Sequence, residues 1–186
     1  MSDPEKAFLY HNGKLIGLFP YTGLDEIDAE TAKRIVSEKG LANKTTPLDA
    51  IVRQAQAFEE AAKVLFEFRS RSLTVPFVVN GCFCIELYLK AIHVVIGSKK
   101  TGHSLKALYN EFPDCIKSSL QREFDSQLVT SGESNNSPSF ESEVNSLSGC
   151  FVEWRYFHEK AETTVIKMVS INHVIQTIKS IILELK

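Results

Sequence analysis

The chain has 186 residues, of which 44% are hydrophobic and 24% charged, a composition typical of one globular core with at most a small appendage. A formal net charge of -2 excludes a global electrostatic attraction to nucleic acid, so contact with RNA or DNA would need a local basic patch. We expect no signal peptide and no membrane span, because polar residues interrupt the longest apolar run, Val75 to Ile96.

The four cysteines (Cys82, Cys84, Cys115 and Cys150) are scattered and show no CxxC spacing. Zinc sites need cysteine or histidine ligands at recurring short spacings, and none is visible. We therefore expect reduced, structural thiols in a cytoplasmic protein that holds no metal and no other cofactor.

The first 45 residues predict a small appendage. Residues 8–18 are typical of two short strands around Asn12-Gly13, a pair favoured in type I′ turns because both positions need positive φ. A short helix is then predicted from Asp28, as its N-cap, to Lys39, with Gly40 ending it.

From Thr46 onward the apolar residues recur at helical spacing. Thr46-Pro47 predicts the start of a helix that runs to about Arg71, and a second helix, apolar on all sides, is predicted from Thr74 to near Gly97. Later helices are predicted at about 105–112, 113–128, 140–147, 148–162 and 171–185, the last capped by Ser170. The fold class is therefore all-α: an up-down bundle of four to five main helices over residues 46–186, with a small N-terminal β-hairpin appendage over residues 1–45.

The segment from Cys150 to Glu159 sets charged groups among aromatic side chains. Arg155 and Glu159 are four residues apart and share one helix face, and Trp154 and Tyr156 flank the arginine. One interpretation is a cleft in which a carboxylate fixes Arg155 to bind phosphate, with His158 as proton shuttle or second donor. The other is a surface ion pair of little energetic weight.

A second group of charged residues lies within the apolar second helix. Glu86 and Lys90 are four residues apart, and His93 lies one turn further along that face. They predict either an ion pair that joins two helices or a polar cleft shared with Arg155. His103, after a glycine, predicts either a packing role at a turn or a base or phosphate contact.

The order of these motifs resembles the HEPN superfamily of small helical bundles. The pattern Glu86-Leu-x-Leu-Lys90-Ala, then Gly-His103-x-Leu, then Trp-Arg155-Tyr-x-x-Glu159 is similar to that family over about residues 47–186. The resemblance implies a homodimer, and either a metal-independent ribonuclease of toxin, phage-defence or RNA-processing systems or a binding module without catalysis. It also implies RNA or nucleotide as ligand, a nucleotidyltransferase-type antitoxin as possible protein partner, and Glu86 as the polar residue of the second helix.

The chain departs from the motif of the active members, in which a histidine follows the arginine after four to six residues. Arg155 matches the arginine, but positions 160–162 hold no histidine, and His158 follows after only two residues. We therefore expect an RNA- or nucleotide-binding or dimerisation module with weak or no catalysis. Two alternatives stay open: a metal-independent endoribonuclease with Arg155 and His158 as catalytic residues, and a structural module that docks another protein.

Overall fold

The computed structural model describes residues 5–11, 14–40, 46–68, 73–132, 138–149 and 168–185. Over these residues it contains two strands and seven helices, which confirms the mostly helical class with a small hairpin. The elements are β1 (Lys6–His11), β2 (Lys14–Pro20), α1 (Asp25–Glu38), α2 (Pro47–Glu67), α3 (Thr74–Val95), α4 (Leu105–Asn110), α5 (Asp114–Thr130), α6 (Phe140–Leu147) and α7 (Met168–Glu184).

The N-terminal hairpin is antiparallel, as predicted, and its predicted Asn12-Gly13 turn lies outside the described residues. Phe8 pairs with Leu18 and Tyr10 with Leu15, with a bulge between the two pairs. Helix α1 differs from the prediction because it begins at Asp25, one turn before the expected cap. Three acidic residues in the first turn stabilise the helix by interacting with the partial positive charge of its N-terminus. One of them, Asp28, accepts hydrogen bonds from the Thr22 amide (3.1 Å) and hydroxyl (2.9 Å). Asp28 therefore ties α1 to the loop after β2.

The bundle helices begin mostly where their local signals predict. The Thr46 hydroxyl accepts a hydrogen bond from the Asp49 amide at 3.1 Å and caps α2, and Ser139 caps α6 in the same way. Helix α2 is described to Glu67, and its predicted continuation to Arg71 lies outside the described residues. Ser170 is not a cap, because Met168 and Val169 already have helical backbone.

Helix α3 is the centre of the bundle and contacts α2, α4 and α7. Thirteen of its 17 residues from Phe77 to His93 are buried, as expected for a helix that is apolar on every side. Among the described helices α3 alone has the length and hydropathy of a membrane span, and 67% of that window is buried inside the bundle. A core helix passes the same test, so this is weak evidence for a membrane span.

Gly81 allows α3 and α7 to approach closely. A Cβ atom at this position would lie 2.7 Å from Cγ2 of Ile171, which is fully buried on α7. We expect Gly81→Ala to lower the free energy of unfolding by about 1–3 kcal/mol, because overpacking outweighs the gain in helix propensity. Urea unfolding followed by circular dichroism measures this change, and a variant more stable than the wild type would contradict the close packing.

Candidate functional site

Three of the residues singled out from the sequence come together at the C-terminal half of α3. The carboxylate of Glu86 is buried, with 2% of its side chain exposed, and the Lys90 ammonium donates a hydrogen bond to Glu86 Oε1 at 2.8 Å. His103 approaches from the connector after α3, and its Nδ1 lies 3.0 Å and 3.2 Å from the two carboxylate oxygens. One acidic group therefore holds a lysine and a histidine that are 13 residues apart in the chain.

The connector positions His103 through its local backbone. Gly102 has a φ of 99°, a conformation that a side chain rarely permits, and Ser104 caps α4 by accepting a hydrogen bond from the Ala107 amide. His103 lies in the turn between these two residues, and 65% of its side chain is exposed. In the neutral tautomer that donates Nδ1–H to Glu86, the basic nitrogen is Nε2.

A pocket opens beside this cluster, between the C-terminal end of α3 and the start of α2. Its volume is about 410 Å³, and Lys90 reaches it from the cluster. One wall is apolar and comes from Pro47, Ile51 and Val94. The remaining lining residues are Gly97, Ser98, Lys99 and Lys100, so three of the eight are lysines.

The lysines of the pocket are only partly neutralised. Lys90 is paired with Glu86, and Lys100 forms an ion pair with Glu111. No ion pair of Lys99 is present within the described residues, and its side chain is exposed. An ammonium group has three N–H donors, so even the paired lysines keep capacity to bind an anion. The pocket therefore combines positive charge with an apolar wall.

A second buried carboxylate, which the sequence did not single out, lies elsewhere in the bundle. Glu59 on α2 is 4% exposed; its Oε1 accepts hydrogen bonds from Lys63 and Lys179, each at 2.9 Å, and its Oε2 accepts one from the Tyr88 hydroxyl at 2.9 Å. Burial alone raises the pKa of Glu59, but these hydrogen bonds outweigh burial and lower the pKa to about 2. Only Lys63, four residues from Glu59, is a partner that spacing could have found.

His93 has a structural role instead of a place in the cluster. Its Nε2 lies 2.9 Å from the Leu108 carbonyl oxygen, and its ring stacks on Phe112 with centroids 4.3 Å apart. Burial lowers the pKa of His93, which keeps the ring neutral and lets Nε2–H donate to Leu108. His93 therefore fixes α4 against α3.

The aromatic segment that contains Arg155 and His158 lies outside the described residues, as do Trp154, Tyr156 and Glu159. The hypothesis that Arg155 meets Glu86 or Glu159 therefore stays a prediction. Over the ranges that the structure describes, no group of three or more histidine, cysteine, aspartate or glutamate side chains could hold a metal ion.

Comparison with known proteins identifies no relative of this chain. No family model matches the chain, and neither the curated proteins nor the solved structures contain a significant match. The resemblance to the HEPN superfamily therefore rests on the quoted motifs, and function has to be argued from the cluster and the pocket.

Proposed function

We propose that the chain is a HEPN-like helical protein that binds RNA or a nucleotide in the pocket formed by α2, α3 and the following connector. The main helices would alternate in direction along the bundle. The observation that carries the proposal is that three lysines surround one pocket with an apolar wall, beside a histidine fixed by Glu86.

The chemistry of this pocket suits a phosphate group with a base attached. Lysine ammonium groups bind phosphate oxygens as point charges. The apolar wall from Pro47, Ile51 and Val94 gives a base or ribose a surface that excludes water. The overall charge of -2 repels polyanions weakly, so binding would depend on this local patch.

Reversing the charge of two pocket lysines tests the proposal. We expect Lys99→Glu/Lys100→Glu to weaken the binding of single-stranded RNA by at least about tenfold, because two phosphate contacts are replaced by repulsion. The slope of log K against log salt should flatten by about 1.4, or about 0.7 for each lost contact. Fluorescence anisotropy with labelled RNA over a series of salt concentrations measures both quantities.

Lys33→Glu/Lys39→Glu is the matched control, since it makes the same charge change on exposed lysines of the α1 segment, outside the pocket. The control should keep the affinity close to that of the wild type. Equal losses in both double variants would show that only net charge matters, and no RNA or nucleotide binding by the wild type would refute the function.

The contact between Glu86 and His103 favours a second candidate function, metal-independent cleavage of RNA. A carboxylate bound to Nδ1 orients a histidine so that Nε2 can take the proton of a 2′-hydroxyl. The 2′ oxygen then bonds to phosphorus, the bond to the 5′ oxygen breaks, and the imidazolium returns its proton to that oxygen. Arg155 would stabilise the charge on the phosphoryl oxygens, and His158 is the alternative base.

Cleavage in the presence of EDTA separates the two candidates. An active enzyme would convert single-stranded RNA to 2′,3′-cyclic phosphate products without metal. Replacing a catalytic residue with alanine should lower the cleavage rate at least about a hundredfold. The three variants to measure are His103→Ala, His158→Ala and Arg155→Ala. RNA that stays intact while bound by the wild type would support the binding module, and cleavage that survives all three changes would contradict the assigned residues.

A further inference from the structure

One face of the N-terminal hairpin carries four exposed apolar side chains. Cross-strand partners lie on the same face of a sheet, so Phe8 with Leu18 and Tyr10 with Leu15 form one surface. Their side chains are exposed by 63%, 52%, 60% and 47%, respectively. On the opposite face Leu9 is only 8% exposed. The hairpin therefore has one covered face and one open apolar face.

The open face offers about half of the apolar area that a stable dimer buries on each partner, and the segment that follows β2 exposes more. A fully buried aromatic side chain covers about 150–250 Å², so the four half-exposed side chains offer roughly 400 Å². Tyr21, Leu24 and Ile27, in the segment that follows β2, are also about half exposed and offer roughly 300 Å² more. A standard interface buries about 800 Å² on each partner. Contiguous apolar patches on the surface of monomers rarely exceed a few hundred Å².

The hairpin also has opposite charges at its two ends. Lys14 begins β2 at the turn end of the hairpin, whereas at the open end the charges of the exposed Glu5 and Lys6 offset each other. Helix α1 begins five residues after the last residue of β2, so Asp25 and Glu26 lie at the open end, and both are exposed. Two hairpins packed face to face in antiparallel orientation would bring the basic end of each to the acidic end of the other. The same surface thus serves both copies, as a two-fold axis requires.

We propose that the open hairpin face is the interface through which two copies of this chain associate, with the two hairpins packed face to face and antiparallel. Each sheet covers the apolar face of the other, at the distance of about 10 Å that packed sheets adopt. A two-stranded hairpin is marginal in water, and the second copy supplies a packing partner for the open face. The interface lies outside the RNA pocket and does not depend on the proposed function.

Removing one cross-strand pair tests the interface. By sedimentation velocity the wild type should have twice the monomer mass of 20.9 kDa, and Phe8→Thr/Leu18→Thr should raise the dimer Kd at least about a hundredfold, since two central apolar contacts are lost. Threonine keeps strand propensity, and circular dichroism reports the fold. The matched control Val129→Thr/Leu183→Thr changes side chains exposed by 75% and 73% on α5 and α7 and should leave the dimer intact.

A charge exchange tests the orientation. Lys14→Glu and Glu26→Lys should each weaken the homodimer, whereas a mixture of the two variants should restore association, because both end-to-end contacts again join opposite charges. The proposal is overturned if the wild type stays monomeric at its highest soluble concentration. It is also overturned if the wild type binds phosphatidylcholine vesicles as a monomer. A dimer that survives the hairpin variant overturns it too, and a mixture that fails to associate overturns the antiparallel arrangement.

Discussion

Glu59→Gln should lower the free energy of unfolding by about 3 kcal/mol at pH 7. The pKa of Glu59 falls from 4.5 to about 2 in the fold, and each pKa unit corresponds to about 1.4 kcal/mol. Glutamine keeps the shape of the side chain but loses the negative charge that Lys63 and Lys179 bind. For a domain of this size we expect the melting temperature to fall by roughly 6–12 °C.

The pH dependence of this effect has a definite sign. Glu59 has a lower pKa in the folded chain than in the unfolded chain, so its contribution is complete above about pH 4.5 and is lost as the pH falls toward about 2. The stability difference between wild type and Glu59→Gln should therefore shrink through that range. Urea unfolding at pH 7, 4 and 3 measures it.

Glu60→Gln is the matched control, because Glu60 is the next residue of α2 and is exposed. It should change stability by less than about 0.5 kcal/mol at every pH. A stability difference between wild type and Glu59→Gln that stays constant from pH 7 to pH 3 would contradict the role given to the ionised carboxylate.

Glu86→Ala should destabilise the fold by about 3 kcal/mol or more. Removing one member of a buried ion pair leaves the other charge without compensation, and Lys90 is only 19% exposed. The double variant Glu86→Leu/Lys90→Met should recover most of the loss, since a buried pair can be replaced by apolar residues of similar size at little cost. Thermal unfolding of the wild type and both variants measures this pattern.

The same double variant separates structure from function. If the pocket binds RNA, Glu86→Leu/Lys90→Met should fold normally yet bind RNA at least about tenfold more weakly, because Lys90 lines the pocket and Glu86 fixes His103. Unchanged affinity in a stable double variant would mean that the pair only joins the helices. If Glu86→Ala is as stable as the wild type, Glu86 is not a buried ionic partner.

The two carboxylates differ in how far they could be predicted. Glu86 stands out in the sequence because it interrupts an apolar helix, so the choice between an ion pair and a polar cleft could be stated in advance. Glu59 lies on an amphipathic helix with ordinary charged neighbours, and nothing local marks it as buried. Its partners Tyr88 and Lys179 are 29 and 120 residues away, and they reach it only through the packing of α2, α3 and α7.

Helix boundaries show the same division. Thr46 acts through its side-chain hydroxyl and Gly97 through its positive φ, so the start of α2 and the end of α3 follow from local chemistry. Asp28 and Ser170 were predicted as caps by residue type alone. Each lies inside a longer helix, because cap residues favour a helix start without excluding helical backbone.

Local signals along the chain specify the hairpin, the helical class and most of the described helix positions, since turn propensity, capping and apolar periodicity act between residues close in the chain. Tertiary structure decided which charged groups are buried and what they bind: it joined His103 to Glu86, placed Lys90, Lys99 and Lys100 around one pocket, and left one hairpin face open. The physical reason is that burial and ion pairing depend on distances through space, which helix packing sets and residue spacing does not encode.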